Sequence, residues 1–157
     1  MKSEHPFNED LKSVLDTDEA YNFLPSETWM EGGCTLLALA LQKLVVDSQI
    51  YSIGRLNEGI PDHTVLQVIV YGEPFYIDYD GLHTSDELKE KVIHEWGFHN
   101  PQLAPANMEL LNEMGLLHLS HSAVPLSKDI FRSLGEINED RLSPEWAEAA
   151  PTLGGLR

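Results

Sequence analysis

The sequence predicts an α+β fold in which one buried helix lies against a small antiparallel sheet. Three observations lead there. The run from Cys34 to about Val46 is apolar on nearly every side, as a helix packed inside a protein must be. From Gln49 to Asp78 the pattern turns to β-branched and aromatic runs separated by turn residues, which reads as a meander of strands. After Thr84 the helical period returns. Strands in one block and helices in others segregate into α+β rather than alternating α/β layers.

In chain order, Asn8 to Tyr21 reads as one helix, with Leu11, Val14 and Leu15 on a shared face. Pro25 and Ser26 break it, and the aromatic segment Glu27–Met30 leads to Gly32-Gly33. In the buried helix, Cys34, Leu37, Ala38, Leu41 and Val45 form one stripe, and small Ala38 and Ala40 allow close approach to a sheet. Gln49 to Arg55 reads as a strand and Gly59 to Asp62 as a loop. Thr64 to Tyr71, apolar on both faces, reads as a central strand. Gly72-Glu73-Pro74 reads as the turn into a return strand over Phe75 to Asp78. Thr84-Ser85-Asp86-Glu87 is a capping box opening a helix to Trp96, with Gly97 as its stop. Asn107 to Met114 reads as a short helix, Leu116 to Ala123 as a short strand, and Ser127 to Leu134 as a helix. Residues 1–150 are expected to form a single domain and 151–157 a loose tail.

Composition narrows the function. Twenty-six acidic residues against ten basic give a formal net charge of −16, a surface that repels phosphate backbones and disfavours nucleic-acid binding. A basic protein is the partner such a surface suits. Apolar runs are too short for a membrane span of roughly 20 residues, so no membrane partner is expected. A single cysteine cannot form an internal disulfide, and Met1 to Pro6 lack an apolar leader, so the default compartment is the cytoplasm. No cofactor is expected. The His118/His121 spacing lacks an acidic or thiol partner at a useful distance, so no metal is expected either.

The chemistry-bearing residues come in a telling order. Cys34 follows Gly32-Gly33 and sits in the first turn of the apolar helix, where free amides and the helix dipole favour a thiolate. The same amides and glycines suit a developing oxyanion. His63, at the head of the central strand, is the candidate base, and Asp78 or Asp80 the candidate carboxylate to orient it. If Tyr71 pairs with Pro74, then His63 opposes Leu82, Val65 opposes Asp80 and Gln67 opposes Asp78. Both carboxylates then share the face of His63, with Asp80 the nearer by this idealised count and Asp78 favoured if the strands twist or bulge, whereas a one-residue slip would remove both. Trp29, Gly32 and Gly33 would line the cleft. Bland readings stand beside these. A lone cysteine is commonly an inert core residue. Asp-Gly is a turn signal, and His83, His94 and His99 read as surface or satisfied core histidines.

Gly32-Gly33-Cys34 before an apolar helix, His63 on a strand and Tyr76-Ile77-Asp78 on the next resemble the papain-like cysteine-enzyme superfamily. Within it the chain is most similar to the minimal NlpC/P60-type and transglutaminase-like branches, over roughly Glu27 to Gly81. The resemblance implies a papain-like core in which the cysteine caps the central helix and adjacent strands supply the histidine and a third polar residue. In transglutaminase-like members that residue is an aspartate after an aromatic-rich strand, which ranks Asp78 above Asp80. Papain-type peptidases carry a glutamine shortly before the cysteine. Thr28 and Trp29 stand there instead, which shifts the implied activity from peptidase toward amidase, deamidase or acyl transfer. Two functions follow: a thiol enzyme acting on an amide or thioester of a protein or peptide-like substrate, or a non-enzymatic acidic protein using the same scaffold to bind or inhibit a basic partner.

Overall fold

A computed structural model describes residues 5–24, 33–115 and 119–143. The protein is α+β, with seven α-helices among the described residues and a five-stranded antiparallel sheet. The helices are α1 (Pro6–Leu15), α2 (Asp18–Tyr21), α3 (Gly33–Gln42), α4 (Ser85–Trp96), α5 (Met108–Glu113), α6 (Ser120–Leu134) and α7 (Glu139–Leu142). The strands are β1 (Gln49–Arg55), β2 (Ile60–Val70), β3 (Glu73–Asp78), β4 (Gly81–His83) and β5 (Gln102–Pro105), in the order β4-β3-β2-β1-β5. Among the described residues no helix is long and apolar enough to cross a membrane.

Alternation along the strands divides the interior in two. Ile50, Leu66, Val68, Val70, Ile77 and Leu82 face α1, α3 and α6 and form the main core. Ile53, Val65 and Tyr76 point the other way, onto Leu88 and Val92 of α4. The buried helix is therefore α3, laid on β2 as its apolar circumference demands. The capping box at Thr84 and the stop at Gly97 (φ 74°) bound α4 as the sequence predicts.

Several expectations are corrected. The helix predicted over Asn8 to Tyr21 is two helices. The Thr17 hydroxyl donates to the Val14 carbonyl (2.7 Å) and accepts the Ala20 amide (3.2 Å), so it closes α1 and caps α2. The loop expected over Gly59 to Asp62 is a 3₁₀ turn (Leu56–Glu58) and a left-handed Gly59 (φ 75°), after which β2 begins at Ile60. The strand expected over Leu116 to Ala123 is not there in its described part. Ala123, Leu126, Ile130 and Leu134 form a buried helical stripe packed beside α3, and that tertiary contact carries α6 through Pro125. β5 was not anticipated, being too short to show a period. The segments Glu27–Met30 and 152–157 lie outside the described residues.

The hairpin register differs from the one expected. Val70 pairs with Glu73 and Gln67 with Tyr76, because Tyr71-Gly72 makes the two-residue loop with positive φ at both positions (50° and 85°). The offset is two residues. An even offset preserves faces, so Asp78 keeps the face of His63; a longer β3 would set Asp80 opposite His63, but β3 ends at Asp78 and Asp80 lies in the turn.

Where β1 meets the start of β2, a bulge between Ile53 and Arg55 carries Gly54 at φ +147°. A Cβ on Gly54 would stand 2.5 Å from Asp62 Oδ2 and 2.7 Å from the Asp62 nitrogen. Asp62 fills that space with its carboxylate, taking the Arg55 amide (2.9 Å) and both ends of the Arg55 guanidinium (3.1 and 2.7 Å). Gly54→Ala is expected to destabilise the protein by at least about 2 kcal/mol, from the strained φ and the displaced Asp62 together. A urea unfolding midpoint indistinguishable from wild type would contradict this.

Candidate active site

The array is built from the two faces of the sheet. Cys34 belongs to α3 on one face, whereas His63, Asp78 and His83 project from β2, β3 and β4 on the other. They meet because the β2–β3 ladder stops at Leu66↔Ile77. β1 continues beside β2 as far as His63 and beyond, but β3 turns away at Asp78, which pairs with Gly81 across the tight turn Tyr79-Asp80. His63 and Thr64 are thus unpaired toward β3, and the first turn of α3 reaches them there. The Thr35 hydroxyl donates to Thr64 Oγ1 at 3.0 Å, fixing that first turn to β2.

Cys34 is only 9% exposed, yet its sulfur is not sealed in hydrocarbon. Burial pushes the thiol up. The His63 imidazole, the Thr64 amide and the Thr35 hydroxyl outweigh burial, so the thiol is held below its usual value of 9.0. His63 responds in the opposite sense. Burial pushes it down, but hydrogen bonding to Asp78 and the interaction with Cys34 raise it from 6.5 to about 9. The two shifts favour a thiolate–imidazolium pair at neutral pH. His63 Nε2 lies 3.1 Å from Asp78 Oδ2. Its other nitrogen, Nδ1, is buried and has no hydrogen-bond partner among the described residues. Trp96 packs edge-on against the imidazole at 5.2 Å between ring centres.

Asp78 is 2% exposed and satisfied on both oxygens. Oδ1 takes His83 Nε2 at 2.6 Å and the Asp80 amide at 2.9 Å. Oδ2 takes His63 Nε2 and, at 2.5 Å, Lys91 Nζ from α4. Burial alone would raise this carboxyl. His63, His83 and Lys91 instead hold it well below the usual carboxylate range. Lys91 is clamped on its other side by Asp80 Oδ2 at 2.7 Å and lies over the Tyr79 ring at 4.2 Å.

No known family model, curated protein or solved structure matches this chain. The reading of the site therefore rests on its own geometry.

Of the residues singled out from sequence, Cys34, His63 and Asp78 come together. Asp80 is corrected: its carboxylate binds Lys91 and Lys12 (3.5 Å) rather than His63, because β3 ends at Asp78 and Asp80 lies in the tight turn to β4. Gly33 opens α3 and is buried, while Trp29 and Gly32 lie outside the described residues, as do His118 and Trp146. His94 and His99 are exposed, and His83 is a buried, satisfied histidine. No group of three or more metal-binding side chains is found among the described residues.

His83 and Lys91 were missed as partners of the site. Lys91 had a signal. It shares a helix face with Leu88 and Val92, the two buried residues of α4, and a lysine beside an apolar stripe needs an acidic partner. His83 had none, since its role depends on β4 folding back beside β3.

Proposed function

We propose that this chain is a thiol-dependent acyl-transfer enzyme on a papain-like core, acting on an amide or thioester through Cys34, His63 and Asp78. The observation that carries the reading is the company His63 keeps. Its Nε2 is bound to the buried Asp78 carboxylate, and the ring interacts with the thiol of Cys34 in the first turn of α3.

In this reading the Cys34 thiolate attacks the carbonyl carbon and the oxygen takes up the negative charge. The Cys34 amide, in the first turn of α3 where no intrahelical acceptor exists, is positioned to donate to that oxygen. Collapse expels the leaving group, which receives the proton from His63, and a thioester remains on Cys34. His63, now neutral, deprotonates an incoming water or amine, whose attack on the thioester releases the product and restores the thiolate. Water gives an amidase, deamidase or peptidase, and an amine gives a transferase. Asp78 holds the ring and stabilises its protonated form. The net charge of −16 favours cationic protein or peptide substrates at low ionic strength.

The test is the rate of Cys34 alkylation by iodoacetamide between pH 5 and 9, folded against urea-denatured. An ion-paired thiolate makes the folded rate at pH 6 to 7 exceed the denatured rate and flattens its pH dependence. Slower labelling of the folded chain across that range, with ordinary labelling after denaturation, would overturn the reading.

A further inference from the structure

Asp78 Oδ2 serves two donors at once. His63 Nε2 approaches it at 3.1 Å and Lys91 Nζ at 2.5 Å, so the closer and permanently charged partner is the lysine. The lysine side chain is only 9% exposed, and the Asp78 side chain 1%. Water therefore screens little between them. Lys91 is also restrained from leaving, by Asp80 Oδ2 at 2.7 Å and by the Tyr79 ring beneath it. A carboxylate needed only to orient His63 would not require this competitor. We propose that Lys91 is a positioning residue that draws Asp78 Oδ2 away from His63 and limits how tightly the carboxylate holds the imidazole.

The chemical sense follows from the two duties of His63. It must take a proton from water or amine in one half-reaction and surrender one to the leaving group in the other. A buried carboxylate alone would make the ring too reluctant a donor. A cation no more than about 6 Å away weakens that grip without breaking it. The other groups that bear on His63 are Cys34 on α3, Asp78 itself, His83 acting through Asp78 Oδ1, and Asp80, which holds Lys91. Trp96 on α4 is uncharged, Arg55 is neutralised by Asp62, and Lys12 pairs with Asp80 at 3.5 Å.

This inference deepens the reading of Cys34, His63 and Asp78, yet its measurement is independent of turnover. The protonation midpoint of His63 can be followed by ¹³C–¹H NMR of the ring in wild type, Lys91→Met, Lys91→Arg and Asp80→Asn, with His63→Gln to assign the signal. Removing the cation favours imidazolium, so Lys91→Met is expected to raise the midpoint by about one pH unit. Lys91→Arg restores the charge and returns it toward wild type. Asp80→Asn removes an opposing anion and lowers it, which gives a second test should Lys91→Met fold poorly. A midpoint unchanged or lowered in Lys91→Met overturns the proposal, because a lysine that merely props Asp78 in place would, when lost, let His63 fall back toward 6.5. So does a midpoint that does not fall in Asp80→Asn. Iodoacetamide kinetics decide separately whether the site is that of a thiol enzyme: a raised midpoint without enhanced alkylation would leave the role of Lys91 standing and remove the enzyme reading.

Discussion

Asp78→Asn is expected to destabilise the protein by about 3–5 kcal/mol, the range for stripping one partner from a buried charge network. The asparagine is nearly isosteric and its carbonyl still accepts one or two bonds. What it cannot supply is the negative charge against which His63, His83 and Lys91 are all buried. The loss should also change shape with pH. Asp78 has a folded pKa well below its ordinary value of 3.8, so its contribution is fully present above that value and disappears as pH falls through the folded one. Urea unfolding at pH 7 should therefore show the full difference between variant and wild type, and the two curves should converge on acidification. A variant within 1 kcal/mol of wild type at pH 7 would mean that Asp78 is not the electrostatic centre of the site.

His63→Ala is expected to slow alkylation of Cys34 at pH 7 by about tenfold or more, the effect of a shift of one pH unit. Burial of the thiol persists in the variant, and burial alone pushes it upward, whereas the largest opposing influence is gone. Losing the imidazole therefore moves the thiol back up toward its ordinary range and shrinks the thiolate fraction at pH 7 relative to wild type. The sign can be checked at the basic end. As pH rises past about 9, wild-type His63 loses its proton and the thiolate its counter-charge, while the variant thiol is only then ionising, so the two rates should approach each other. A variant that labels as fast as wild type at pH 7 would show that the imidazole does not activate the sulfur. Near-identical circular dichroism would confirm that folding is not the cause.

Much of the site was legible in the chain because its parts are local signals. A thiol after two glycines at the head of an apolar run marks a helix tip whatever the rest of the protein does. Strand alternation placed Asp78 on the face of His63, and that assignment survived a register error because the error was even, whereas Asp80 lies in the turn beyond β3. Pairing alone ranks Asp80 nearer in either register, and the end of β3 at Asp78 decides otherwise. The resemblance of Tyr76-Ile77-Asp78 to an aromatic strand ending in aspartate ranked Asp78 first, beside the allowance that twist or a bulge could favour it. Pro74 suggested a turn one step late, since the sequence gives no warning that Tyr71 adopts φ 50°. The helix over Ser120 to Leu134 was half-missed for a related reason. Its N-terminal turns carry polar residues and Pro125, and their helicity comes from packing beside α3.

Sequence by itself determined the α+β class, the buried helix with Cys34 at its tip, the capping-box helix from Ser85 to Trp96, and the facing of His63 with Asp78. These follow from periodicity and end-caps, which act within a few residues. Tertiary structure alone decided which carboxylate meets the imidazole, that His83 and Lys91 converge on it, and that thiol and imidazole meet from opposite faces of the sheet. Those outcomes depend on where the β2–β3 ladder ends and on how α4 folds back, and pairing between segments far apart in the chain leaves no mark in local patterning.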